Sequence, residues 1–295
     1  MPSSTMGAPR SHYDAIRRLV ARGLHSGPRQ VLKDILRPRR RAKLTNEMRT
    51  LNNTAGRAQD VDPTIHPGDF MYWFCVNHPS LTLEQAIRYY FWDGGRSAGE
   101  LASLLEELGV TNSPPIKLLE FASGYGCVTR HLKKNPAYDL VSCDIHPQAI
   151  DFLENLLEVK AISSVYVPEQ FAPDDKFDVV FALSFFSHMP KGSFGRWLKA
   201  LYGSLAIAGH LVFTTHGLKS CEHLGITPID IPGDGFWFSA HSEQRDLNTA
   251  VYGSALCTRD FVVNAIDQLP GGSLALYKHA HWWEHQDLFV VKRGQ

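Results

Sequence analysis

The stretch Leu118-Leu-Glu-Phe-Ala-Ser-Gly-Tyr-Gly-Cys-Val-Thr-Arg-His-Leu132 constrains the fold more than any other part of the chain. An apolar run closes on an acid, Glu120. A turn of small residues, Ala122-Ser-Gly-Tyr-Gly126, follows, and a helix-like pattern then begins. Glycines at a strand-to-helix turn let a ligand lie against the backbone, because no side chain stands between them. Leu140-Val-Ser-Cys-Asp144 is a second short apolar run that ends in an acid. An acid closing the second strand of a βαβ unit is placed to accept hydrogen bonds from a ribose diol. Together the two runs read as an α/β domain with a nucleoside-cofactor site.

The glycine spacing decides between cofactors. A dinucleotide fingerprint needs Gly-x-Gly-x-x-Gly, so that the pyrophosphate can sit on the helix N-terminus. Counted from Gly124, the third glycine position holds Thr129; counted from one turn earlier, the first holds Ala122. The string acid-x-small-x-Gly-x-Gly instead resembles motif I of class I S-adenosylmethionine-dependent methyltransferases. The resemblance continues downstream. Lys176-Phe-Asp-Val-Val-Phe-Ala-Leu-Ser184 is similar to that family's fourth-strand segment, and Arg196 to Thr215 to its next helix, glycine turn and fifth strand. The segments Leu274–Tyr277 and Asp287–Val291 are similar to its closing antiparallel hairpin, so the resemblance covers about residues 80 to 295.

The resemblance implies a Rossmann-like α/β fold: a seven-stranded, mostly parallel sheet with a C-terminal antiparallel hairpin and helices on both faces. It implies S-adenosyl-L-methionine (SAM) as cofactor. Glu120 would meet the methionine ammonium, and Ala122, Gly124 and Gly126 would form the backbone loop. Asp144 would take the ribose, with Ile145 beside the adenine and Ser184 in the loop after the fourth strand. Ala122 departs from the glycine usual at its position. The strings Thr214-Thr-His-Gly217, Ser242-Glu-Gln-Arg-Asp-Leu247, Tyr252-Gly253 and Trp283-Glu-His-Gln-Asp-Leu-Phe289 resemble a bacterial subgroup, which implies a small-molecule or saccharide acceptor methylated at oxygen. Two other readings stay open: an NAD-dependent oxidoreductase, which Thr129 speaks against, and a catalytically silent SAM-binding scaffold.

Methyl transfer to a hydroxyl is helped by a general base. His188 follows the fourth strand and His216 the fifth, both at the carboxyl edge where open α/β sheets bind ligands. They are the expected catalytic pair, with His285 in the hairpin turn a third candidate. No metal is expected. Lys278-His-Ala-His281 places His279 and His281 on one strand face by alternation, but no second cluster with ligand spacing accompanies it.

The net charge of zero hides an asymmetry. Residues 1–60 carry 13 Lys/Arg against 4 Asp/Glu, and the remainder is correspondingly acidic. The basic run peaks at Arg37-Pro-Arg-Arg-Arg-Ala-Lys43. Such an arm can fold back on an acidic body or make peripheral contact with an anionic membrane; nucleic acid ranks behind both. No apolar stretch is long enough to span a bilayer, the N-terminus lacks a signal-peptide pattern, and the five cysteines are scattered. A cytoplasmic location, with membrane association through the arm, is the expectation.

Residues 1–66 read as a basic helical N-terminal extension and linker, with helices at His12–His25 and Gln30–Leu36 and a linker over 50–68. Residues 67–112 read as helices covering the cofactor cleft. Thr82-Leu-Glu-Gln85 opens one helix that Gly94-Gly95 should end, and Ser97-Ala-Gly-Glu100 opens another that stops at Gly109. Residues 113–295 read as the SAM-binding domain. Within it, an acceptor-pocket insertion at about 216–270 should include a helix over Ser242–Ala250 and one capped by Thr258. Gly209 should separate the preceding helix from the fifth strand.

Overall fold

A computed structural model describes residues 43–110, 115–242, 244 and 246–294. The two helices expected before residue 43, and all of the basic run except Lys43, lie outside the described residues.

Three short apolar runs form the centre of the sheet. Strand β1 (Ile116–Phe121) pairs in parallel with β2 (Tyr138–Asp144) on one side and β4 (Phe177–Ala182) on the other. β3 (Lys160–Ser163) lies outside β2, and β5 (Leu205–His216) outside β4, again parallel. β9 (Gln286–Arg293) then runs antiparallel between β5 and β8 (Gly272–Trp282). The order β3-β2-β1-β4-β5-β9-β8 is the seven-stranded sheet with a C-terminal hairpin that the sequence implied. Its direction of winding reverses between β1 and β4, and that crevice at the carboxyl ends is where such sheets take ligands.

Alternation along the strands feeds two cores. Leu119, Phe121, Val141, Cys143, Val180 and Ala182 face one way. They pack under Phe194, Trp197, Leu198 and Leu201 of the helix Lys191–Gly203 and Val262 and Ile266 of Arg259–Ile266. Ile116, Leu118, Leu140, Val179 and Phe181 face the other way, under Leu101, Leu104 and Leu105 and under Phe152 and Leu153. Each buried Val, Leu, Ile or Phe among them stabilises the fold by about 1.5–3 kcal/mol. A third cluster, built on Met48, Tyr72, Trp73, Tyr90 and Phe91, holds the N-terminal helices together.

Four local expectations are corrected. Residues expected as linker form helix α1 (Asn46–Gln59), capped by Thr45 and closed by Asp60 in the left-handed region. Its composition is polar, but Met48 and Ala55 are buried against the third cluster. The two helices expected around Gly94-Gly95 are one, α3 (Leu83–Glu107), which starts at the expected Thr82 capping box and follows α2 (Phe70–Val76). Here the glycines serve close packing rather than termination: a Cβ on Gly94 would lie 2.1 Å from the Cys127 carbonyl oxygen. Gly209 lies inside β5, at an irregularity where the β4–β5 register shifts. Residues 246–252 form turns, not a helix, because Asn248 accepts from the Ala250 amide with its side chain and from the Tyr252 amide with its carbonyl. The Thr258-capped helix is present as Arg259–Ile266. The insertion also contains a hairpin of β6 (Phe236–Ser239) and β7 (Ser254–Cys257). Among the described residues, no helix is long and apolar enough to cross a membrane.

Candidate cofactor and acceptor site

The turn after β1 winds through three left-handed residues, Ala122 (φ 60), Gly124 (φ 57) and Gly126 (φ 79). Ala122 holds that conformation with a side chain, at a cost of about 1–2 kcal/mol. The two glycines do different work. A Cβ at Gly124 would meet nothing within 4 Å, so this part of the loop is open to a ligand, whereas one at Gly126 would lie 2.4 Å from Leu157 Cδ1. Gly126→Ala is therefore expected to lower stability by about 2 kcal/mol, from left-handed strain plus overlap with Leu157. Urea denaturation measures it, and a variant as stable as the parent would refute the packing argument.

The two strand-end acids face different partners. Glu120 is buried at 4% exposure; its Oε2 accepts from the Thr129 hydroxyl at 2.5 Å and the Ser142 hydroxyl at 3.1 Å. Burial pushes its carboxyl up to about 7, against those two hydrogen bonds. Thr129, at the third glycine position of a dinucleotide fingerprint, is thus a partner of the buried acid. Asp144 faces the glycine loop: Gly124 N–H donates to Oδ2 at 2.8 Å. Its Oδ1 accepts from the His146 amide at 2.9 Å and the His146 ring Nδ1 at 2.8 Å. Ile145 beside it is half-buried. The structure therefore joins Asp144 to the loop and turns Glu120 toward Thr129 and Ser142 beneath it.

N-terminal residues cover this loop. Arg130, 1% exposed, donates to the carbonyls of Gly126 (2.9 Å), Asp62 (2.6 Å) and Thr64 (3.1 Å), clamping the 62–64 segment onto the turn. His66 stacks on Tyr125, with centroids 4.5 Å apart and planes at 6°. Between cover and loop lies a cavity of about 240 Å³ bordered by Gly68, Trp73, Tyr125, His146, Gln148 and Asp246.

Beyond β4 the edge changes character. Ser184 has φ 56, a strained conformation for a residue with a side chain. Its amide donates to Thr214 Oγ1 and its hydroxyl accepts from Gln286 Nε2, both at 2.8 Å, while Thr214 donates to Gln286 Oε1 at 2.6 Å. This network ties the post-β4 loop to β5 and β9. His188 and His216 come together, with ring centroids 6.4 Å apart. Each is anchored through Nδ1 to a carbonyl of the insertion: His188 to Gly253 at 2.8 Å, His216 to Ala255 at 3.0 Å. A carbonyl only accepts, so each Nδ1 carries the hydrogen and each Nε2 of the neutral ring keeps its lone pair. Burial lowers the pKa of His188, and lowers that of His216 further, with His285, His188 and His223 adding to the effect.

Several residues here escaped sequence reasoning. His223 stacks on His285 at 4.4 Å, and their centroids lie 6.1 and 5.7 Å from that of His216. Tyr252, part of the Tyr252-Gly253 string but given no role by it, stacks on His188 at 4.5 Å. Both come from the insertion. His279 and His281 do not converge: Ala280 takes φ 45 and breaks the alternation, so His279 meets Asp287 (3.0 Å) and His281 meets Glu100 (3.4 Å). Among the described residues, no group of three or more His, Cys, Asp or Glu is placed to hold a metal ion.

No curated protein matches the sequence. Solved structures with a similar fold include magnesium protoporphyrin IX methyltransferase from Synechocystis, 15% identical, covering 76% of this chain and 94% of its own, with a TM-score of 0.49. An amino pentose methyltransferase from Micromonospora echinaspora is 16% identical over 68% of this chain and 93% of its own, with a TM-score of 0.48. A 1,6-didemethyltoxoflavin-N1-methyltransferase from Burkholderia thailandensis is 12% identical over 68% and 79%, with a TM-score of 0.47. Residues 119–211 match the family model described as a methyltransferase domain. With the glycine loop, Asp144, Ser184 and His188 all inside that segment, the chain carries a Rossmann-like methyltransferase domain.

Proposed function

We propose that the protein is a SAM-dependent methyltransferase acting on a hydroxyl of a small-molecule acceptor, a saccharide being the favoured class. The observation that carries this reading is the Gly124–Asp144 hydrogen bond, which holds a carboxylate beside the open face of the glycine loop. The loop fits a nucleoside cofactor: the space a Cβ on Gly124 would enter is empty, and Asp144 keeps acceptor capacity for a ribose hydroxyl. Gly124, Gly126, Asp144 and Ile145 would hold the nucleoside part of the cofactor, and Glu120 would meet its methionine ammonium. Bound SAM would supply an activated methyl group on a sulfonium.

The chain's own residues supply the rest. His188 and His216 present neutral Nε2 atoms at the carboxyl edge, where either can take the proton of an acceptor hydroxyl. Tyr252 against His188, and His223 and His285 near His216, add flat groups of the kind that suits a sugar ring. Nothing in the site favours the oxidoreductase, since Thr129 occupies the position a pyrophosphate loop leaves to glycine. Membrane contact remains a proposal carried by the charge of the basic arm.

The test is calorimetric titration with S-adenosylhomocysteine (SAH), with NADH as control, followed by turnover on hydroxylated acceptors. SAH binding without turnover would favour the silent scaffold, and NADH binding the oxidoreductase. Of His188→Ala and His216→Ala, the one that removes the base is expected to lower turnover about a hundredfold at unchanged SAH affinity. Both histidines have lowered pKa values, so their neutral forms persist below the ordinary histidine range near 6.5. The acid limb of the rate profile should accordingly fall below pH 6.5. A limb above it, or two alanine variants with parental turnover, would remove them from the mechanism.

A further inference from the structure

An ionised carboxylate offers about four acceptor positions. Asp144 has three of them filled, by the amides of Gly124 and His146 and by His146 Nδ1. A ribose diol brings two hydroxyl donors. The two amides belong to backbone fixed by the glycine loop and by the start of helix Pro147–Asn155, so only the imidazole can turn away. On the cofactor reading above, on which this rests, we infer that the ribose displaces the His146 imidazole from Asp144, and that this exchange links cofactor binding to the acceptor side of the site.

The link runs through the other ring nitrogen. His146 Nε2 is cut off from solvent and pairs with Asp246 Oδ2 at 3.3 Å, a loose contact rather than a well-formed hydrogen bond. Hydrogen bonding to Asp144 raises the His146 pKa against burial, and the charges of Asp144 and Asp246 add to it, so the imidazole is held between two carboxylates. Asp246 belongs to the insertion. Two residues on, Asn248 closes a turn by accepting from the Val251 and Tyr252 amides at 3.0 and 2.9 Å. Tyr252 stacks on His188, and Gly253 both accepts from the His188 ring and donates to its carbonyl. Moving the imidazole therefore removes the attachment of Asp246 and loosens the segment that positions His188. The cofactor binds first, and the acceptor side becomes free to adjust afterwards.

The experiment compares SAH affinity of the full-length parent with Asp246→Asn and His146→Ala, alongside hydrogen exchange of residues 246–253 with and without SAH. Removing one exposed charge contact should tighten SAH binding about threefold in Asp246→Asn. Removing the competing imidazole should tighten it about tenfold in His146→Ala. SAH should raise exchange over 246–253 in the parent, the reverse of ordinary ligand protection. In Asp246→Asn, exchange should start high and change little. Asp246 is half-exposed, so its variant reports even if His146→Ala unfolds. Unchanged or weaker SAH binding by Asp246→Asn, or protection of 246–253 by SAH in the parent, would overturn the linkage while leaving the cofactor assignment standing. A parent that binds no SAH would instead bring down the cofactor reading, and the linkage with it.

Discussion

Arg130→Ala is expected to destabilise the protein by about 4 kcal/mol, the scale of breaking a buried charge network. The guanidinium is almost fully enclosed and donates to three carbonyls between 2.6 and 3.1 Å, two of them in the N-terminal cover. It also lies over Tyr90 at 5.7 Å and Phe91 at 5.4 Å. Its charge opposes the burial that raises the pKa of Asp69, the enclosed acid that caps α2 and accepts from Tyr90 at 2.6 Å. Alanine would take the side-chain donor from the Asp62 and Thr64 carbonyls, leaving Gly126 only the residue-130 amide, and would leave that acid without its nearby cation. Lysine should rescue little, because a point ammonium cannot reach carbonyls that a planar fork satisfies together. Urea denaturation of the three proteins decides the matter. Proteolysis between residues 60 and 69 should accelerate in both variants. A lysine variant as stable as the parent would reduce the role of Arg130 to charge alone.

That clamp shows where sequence reading works and where it stops. The three central strands were legible because each is a short apolar run with a chemically distinctive residue at or just past its end, Glu120, Asp144 or Ser184, whereas the make-up of the whole sheet came from the family resemblance. Those signals are local. The role of Arg130 was not legible, since its partners Asp62 and Thr64 are main-chain carbonyls more than 60 positions away. Gly94-Gly95 looked like a helix stop because glycine disfavours helix interiors. The tertiary contact with the Cys127 carbonyl overrides that preference, and no propensity encodes it. His188 and His216 could be placed at the carboxyl edge because they follow predicted strands. His223 could not, and Tyr252 could be named but not placed, because the insertion folds by turns whose geometry depends on what they pack against. His146 was overlooked for a simpler reason: it stands two residues after an acid that already had a role.

Glu120→Gln is expected to stabilise the protein above neutral pH while weakening its hold on the cofactor. Burial raises the Glu120 carboxyl to about 7, against about 4.5 for the unfolded chain. A raised carboxyl means the folded state binds the proton more tightly than the unfolded state. The associated stability is therefore complete below pH 4.5 and is lost as pH rises toward 7. The difference corresponds to about 3 kcal/mol. Glutamine stays neutral at every pH, and its carbonyl oxygen can still accept from Thr129 and Ser142. The variant and parent should therefore be similar near pH 4.5, and the variant more stable by up to about 3 kcal/mol at pH 8. Denaturant midpoints across that range measure the gap. Parallel profiles would show that Glu120 titrates normally and that its enclosure carries no cost. If the gap opens and SAH affinity falls together, the strain has a purpose. That outcome would mean that a carboxylate is kept in a site that disfavours its charge because a cationic ligand group meets it there, the trade between stability and function expected at a binding site.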